Sequence, residues 1–237
     1  SSMQPSTIRR AGSSYHDASL SSSYCSALAI REAVTQSGSL SDIKPLMPQS
    51  AYELLAPLQG KTCPVLPDDV SLPLHYQLLS EQYKGYTDHP DIDQTLSDRM
   101  IKKLPSYRCF TDFCEQLKTK NRTYTRIARS LMHILLQISK SDLSAFQAGD
   151  YVYYARMLGF RKEAKPLLTA LKSQSSIPLL SRLADADGLL TADGLRMLDK
   201  DIYASHVYQS LVQHKFPAAK DVIADQGNEY KRQILKV

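Results

Sequence analysis

Ser26 and Arg31, in the stretch CSALAIRE, are spaced for one recognisable kind of chemistry. If Ser26 opens a helix, its hydroxyl, the free N–H groups of the first turn and an arginine one turn further in can together hold the phosphates of a nucleotide triphosphate. Arg9 and Arg10 close the segment STIRR just upstream and would lie at the end of a short strand over 7–10. The same Ser-x-x-x-x-Arg spacing also arises from an ordinary helix cap followed by a surface arginine, so both readings stay open.

A second group of residues points to a polyanion. Between Arg99 and Lys140 the chain carries ten basic residues against only Asp112 and Glu115, although the whole protein has a formal charge of just +5. Within that window, LKTKNRTYTRIAR interleaves Lys118, Lys120, Arg122, Arg126 and Arg129 with Tyr124 at the expected entry to a long helix. Lysine and arginine displace counterions from a nucleic-acid backbone, a helix N-terminus attracts phosphate, and tyrosine stacks on unpaired bases. RNA is the natural partner of such a cluster. A solvated basic face with no ligand has the same composition.

Other chemistries lack their signatures. No glycine-rich phosphate loop, paired-histidine metal motif or nucleophile elbow occurs, and no catalytic residue or metal ligand is assigned. His16, in YHD, stands beside an acid and fits either a catalytic pair or a structural loop contact, while His133 falls inside an apolar helical stripe. Cys25, Cys63, Cys109 and Cys114 are too scattered for zinc or a disulfide framework and are expected as buried or half-buried thiols.

The elements that must position these groups follow from periodicity. A strand over 7–10, a serine-rich loop and a helix over 27–36 capped by Ser26 form the first unit. Two short helices are expected between Leu40 and Gly60, then an irregular connector over 61–75 whose prolines mark a domain boundary. Helices near 75–83, 91–104, 107–117 and 125–138 should follow, the last burying Ile127, Leu131, Leu135 and Ile138. After Gly149 the period changes. A strand over 151–160, a helix over 161–173 and a strand over 176–183 predict a small parallel βαβ unit, with a helix over 195–212 packed beside it.

With 43% hydrophobic and 22% charged residues in 237, the chain has the composition of a folded globular protein. No apolar run approaches a membrane span, and the first residues lack a signal-peptide centre, so a cytoplasmic location is expected.

Four segments together resemble one family, the tRNA(Met) cytidine acetate ligases. TIRRAGSSYHD resembles the family's TIKR-x-G-x-x-YHD segment, and CSALAIRE its SATAIR helix start. KNRTYTRIARSLMHILL is similar to its KRYTYTR-x-x-R-x-x-x-HILL stretch, and YYARMLGF to its Arg-x-Leu-Gly-Phe unit. The resemblance implies an enzyme that uses ATP to activate acetate as acetyl-adenylate and acetylates the wobble cytidine of elongator tRNA(Met), giving N4-acetylcytidine. It implies ATP contacts at Arg10, Ser26 and Arg31, and tRNA contacts at Lys118, Lys120, Arg122, Tyr124, Arg126 and Arg129. Magnesium is expected with ATP only by analogy with triphosphate chemistry. Two positions depart from the pattern: Leu28 replaces the threonine of SATAIR, and Tyr203 stands where the family commonly has arginine.

The family's first loop carries an NPFHNGH motif that this sequence lacks. The expectation is therefore a fragment without most of the N-terminal catalytic domain, not catalytically competent alone. Its fold should be mainly α: a helical bundle with a small C-terminal βαβ segment, preceded by the last strand–loop–helix of a Rossmann-like nucleotidyltransferase domain. Residues 1–38 would form the ATP-phosphate edge, 39–148 a tRNA-binding bundle and 149–237 the α/β segment. Two rival readings remain: a stand-alone non-catalytic RNA-binding module, and a nucleotidyltransferase-like protein with another small substrate.

Overall fold

The computed structural model describes residues 4–8, 25–37, 39–219, 229–230 and 234–236. It divides into two compact units, 1–64 and 65–237, with the division inside the proline-rich connector. Half of the predicted first strand, Arg9 and Arg10, and the serine-rich loop with His16 lie outside the described residues, and Thr7 and Ile8 have no regular structure.

In the first unit, helix α1 (Ala27–Ser37) begins where expected. Ser26 is buried, and its hydroxyl accepts the Ala29 N–H at 3.0 Å. A short 3-10 turn (Ser41–Leu46) and α2 (Gln49–Leu55) follow. Gly60, with φ +70°, ends the segment in a left-handed conformation that suits glycine.

The second unit is a helical bundle. Helix α3 (Ser71–Glu81) starts before the expected His75, because Pro73 falls in its first turn, where a missing N–H costs nothing. It is followed by α4 (Gln94–Lys103), α5 (Phe110–Leu117), α6 (Tyr124–Leu135) and α7 (Lys140–Ala148). Leu74 and Leu78 of α3 meet Leu96, Met100, Phe113, Leu117, Ile127, Leu131 and Ile134 in one buried core. Helix α5 is capped from a distance: Asp68 accepts the Thr111 N–H at 2.8 Å and Ser71 Oγ accepts the Phe110 N–H at 2.9 Å. Helix α6 stops at Leu135 rather than 138, since Gln137 turns left-handed at φ +53°.

Beyond Gly149 the predicted βαβ unit is present in miniature. Strand β1 (Ala155–Arg156) pairs in parallel with β3 (Leu179–Leu180), and α8 (Lys165–Gln174) crosses between them. The expected single strand over 151–160 is split, because β2 (Gly159–Phe160) leaves to pair in parallel with β4 (Leu235–Lys236). Gly159 permits that pairing, since a Cβ there would sit 3.1 Å from the Leu235 backbone oxygen. A short helix, α9 (Ala186–Leu189), leads into α10 (Ala192–Lys215), which is capped by Thr191 and runs back to the bundle, placing Leu211 in its core. The fold is thus a mainly α bundle with a small C-terminal α/β region. Among the described residues no helix is long and apolar enough to cross a membrane.

Leu131 is fully buried where α6 packs on α3. Leu131→Ala should destabilise the protein by about 2–5 kcal/mol, measured by urea denaturation.

Candidate functional site

The predicted RNA-contacting residues gather at the start of α6. A tight turn, with paired backbone hydrogen bonds of 3.1 Å between Thr119 and Arg122, lifts Lys120 into solvent. Thr123 then caps α6, but its hydroxyl meets the Arg126 N–H only at 3.4 Å, and no acid occupies the first turn. The helix start therefore keeps much of its attraction for an anion.

The apolar stripe of α6 faces the core and forces Arg126 and Arg129 outward. There they meet acids that precede the basic window in sequence. Asp91 accepts from Arg129 Nε at 2.8 Å and lies 3.9 Å from Arg126, while Asp93 accepts from Arg122 at 2.5 Å. Asp93 also caps α4 through the Leu96 N–H, and that bond, followed by the Arg122 guanidinium, holds its carboxyl below the usual range. Asp91 adopts φ +62°, a left-handed conformation that aspartate tolerates better than most residues. Elsewhere in the window, Lys140 donates to the Ile92 carbonyl at 3.0 Å and Lys118 pairs with Glu115 at 3.2 Å.

The loop that bears these acids is held firmly. His89 is buried, with Nδ1 2.8 Å from the Ile138 carbonyl and Nε2 2.9 Å from Glu81. His133, half-buried as its place in the helix suggested, reaches the Pro90 carbonyl at 3.4 Å, and burial lowers its pKa. Tyr124, expected as a stacking residue, is half-buried at the start of α6. Its ring packs against the core, its hydroxyl shares a hydrogen bond with the Cys114 thiol, and burial is the main reason its pKa rises to about 12. Cys114 is buried while Cys25, Cys63 and Cys109 are half-buried, and the described residues contain no cluster that could hold a metal ion.

Of the predicted phosphate group, Ser26 caps α1 and Arg31 lies exposed on the same helix, whereas Arg10 is outside the described residues.

Two features had no signal in sequence. Arg156 of β1 pairs with buried Glu229, which also accepts from Ser205 at 2.5 Å, so a residue near the C-terminus anchors the first strand. A cavity of about 340 Å³ opens between the end of α6, the start of α7 and α10, lined by Gln137, Asp142, Arg196, Asp199, Lys200 and Tyr203 among others. Asp142 is its buried anchor, accepting from Ser139 and from Arg196 at 2.5 Å.

A HIGH nucleotidyl transferase family model matches residues 1–221. The chain belongs to that family. Curated relatives include the tRNA(Met) cytidine acetate ligase of Bacillus subtilis, 30% identical over 209 residues covering 87% of this chain and 49% of the relative. That of Thermosipho melanesiensis is 29% identical, covering 88% of this chain and 52% of the relative. The chain thus spans about half the length of these relatives. Thermotoga maritima TmcAL in an apo crystal form superposes with a TM-score of 0.85 at 18% identity, over 97% of this chain and 55% of that one. The form bound with alpha-thio ATP gives a TM-score of 0.79 at 17% identity, over 90% and 52%.

The family match overturns one expectation. The missing motif predicts a fragment lacking most of the catalytic domain, and so incompetent alone, but the HIGH nucleotidyl transferase model runs through the chain from residue 1. A single motif, NPFHNGH, is a poor guide, because a family profile draws on positions along the whole chain.

Burial alone would raise the pKa of Asp142, but hydrogen bonds from the Ser139 N–H and hydroxyl and from Arg196 outweigh it and hold the pKa at about 2. A depressed carboxylate stabilises the fold above its unfolded pKa, and that contribution disappears as pH falls through the folded value. The stability of the protein should therefore decline between about pH 4 and pH 2, and Asp142→Asn should flatten that part of the profile, followed by urea denaturation at each pH.

Proposed function

We propose that the protein is an ATP-dependent tRNA acetate ligase of the HIGH nucleotidyl transferase family, which activates acetate and acetylates the wobble cytidine of elongator tRNA(Met). The observation that carries the RNA half of this reading is the gathering of Lys118, Lys120, Arg122, Arg126 and Arg129 around one helix start. The reaction is supported by the curated relatives, which carry the name tRNA(Met) cytidine acetate ligase.

In the first step an acetate oxygen attacks the α-phosphorus of ATP and pyrophosphate leaves. In the second, the cytidine N4 attacks the acetyl carbonyl, AMP leaves with the bond electrons, and N4 loses a proton. Both steps depend on alignment and charge stabilisation more than on a strong acid or base. Ser26, Arg31 and Arg10 are proposed on the phosphate side, with magnesium accompanying ATP by analogy with other triphosphate chemistry. The functional division proposed is a nucleotide edge in residues 1–38, an RNA-gripping surface on the bundle helices α3 to α7 and a supporting α/β segment in 149–237.

The acids beside the arginines shape the grip. Ion pairs exposed to solvent contribute little energy, so RNA phosphates can compete with Asp91 and Asp93 for the same guanidinium groups. Until RNA arrives, the carboxylates hold those side chains in place. Tyr124 contributes through packing that orients the helix start.

Three measurements test the proposal. Incubation with ATP, acetate and tRNA(Met) should yield N4-acetylcytidine, detected by nucleoside mass spectrometry; absence of product with active substrate tRNA counts against the reaction. Arg122→Glu with Arg126→Glu should weaken tRNA binding by at least about tenfold and reduce the slope of log affinity against log salt by about 2, whereas Asp91→Asn should strengthen binding. Unchanged affinity in all these variants would remove RNA from this face. Arg31→Ala should weaken ATP binding, measured by calorimetry, without altering tRNA affinity.

A further inference from the structure

Helix α3 is apolar on two opposite sides. Leu74 and Leu78 are fully buried in the core. Leu72, Tyr76, Leu79 and Tyr83 face away from it, with 73%, 73%, 43% and 95% of their surface exposed. Gln82 keeps helical dihedrals, so Tyr83 continues the same path. At 3.6 residues per turn these four positions fall within an arc of about 60°. A surface helix ordinarily carries polar residues on its outer side, and a contiguous apolar stripe there marks an interaction surface.

The order of residues in the stripe identifies its occupant. Positions 72 and 83, and positions 76 and 79, are symmetric about one midpoint between Gln77 and Leu78. An antiparallel pairing of two copies about a twofold axis therefore sets Leu72 against Tyr83 of the second copy and Tyr76 against its Leu79. Every tyrosine meets a leucine, and each contact occurs twice, as an isologous interface requires. At the same spacing Ser80 and Pro73 flank the stripe on one side and His75 and Gln82 on the other. Glu81, on the opposite side of the helix, is paired with His89 at 2.9 Å, and Lys84 is engaged with Glu81 and Asp88 of its own chain. Even full cover of the two tyrosines removes at most about 150–250 Å² each from water. With the partly buried leucines the stripe stays well below the roughly 800 Å² per partner typical of specific complexes, which makes the contact a weak one.

We propose that the outer face of α3 is a self-association surface, through which two copies of this chain pair antiparallel as a weak, concentration-dependent dimer. The contact is independent of the RNA reading, because it uses none of the residues at the start of α6.

Sedimentation velocity of the whole chain, from about 1 μM to about 100 μM, reads the association directly. Wild type should pass from monomer to dimer over that range. Tyr76→Lys and Leu79→Glu should each remain monomeric at the highest concentration, with thermal melts like that of wild type because both side chains lie outside the core. An equimolar mixture of the two variants should dimerise again, since the twofold pairing sets the introduced ammonium of one chain against the introduced carboxylate of the other. A wild type that stays monomeric throughout, a dimer that survives both substitutions, or variants that fail to pair when mixed would each overturn the proposal. If the wild type stays monomeric and Tyr76→Lys alters tRNA affinity, the stripe serves RNA and not a second copy.

Discussion

Packing of α6 against α3 is the contact on which the rest of the second unit depends. Ile127, Leu131 and Ile134 recur at helical spacing and are fully buried, which leaves the helix no freedom to rotate about its axis. Arg126 and Arg129, off that stripe, must then point outward, and the start of the helix must emerge beside the loop that holds Asp91 and Asp93. The basic face is a geometrical consequence of the core. A helix with a weaker apolar stripe would present the same arginines in many orientations and lose their alignment.

That loop is built to stay where it is. His89 links it to α3 through Glu81 and to the segment after α6 through the Ile138 carbonyl, while Lys140 ties down the Ile92 carbonyl. Polar groups buried at such a site must all be satisfied, because an orphaned donor or acceptor costs more than the bond gains. The result is a row of carboxylates, fixed by its loop, beside a row of guanidinium groups. Such an arrangement suits a surface that exchanges an internal anion for the phosphates of a ligand, since exposed ion pairs are weak.

The C-terminal region shows how little regular strand a crossover needs. Two residues on each side suffice for β1 and β3 because α8 spans them, Arg156 is locked by Glu229, and α10 backs the pair with Leu198 and Ile202. Helix α10 then returns to the bundle, so the small α/β part is attached to the large core by a continuous element.

Local sequence by itself determined most of the helices, the cap at Ser26, the apolar stripe of α6 and the parallel strand–helix–strand order, because each rests on spacing within one or two turns or on the short crossover between neighbours. It also located the basic residues, and the family, on motifs in sequence order. Tertiary structure alone decided what those residues face. Asp91 and Asp93 lie outside the basic window, yet they sit against Arg122, Arg126 and Arg129, and Tyr124 shares a hydrogen bond with Cys114, ten residues away in sequence on α5. Likewise Glu229 finds Arg156 across 73 residues of chain. The reason is physical: propensity and periodicity act over a few residues, whereas ion pairing and burial act between whichever groups the packed core brings together.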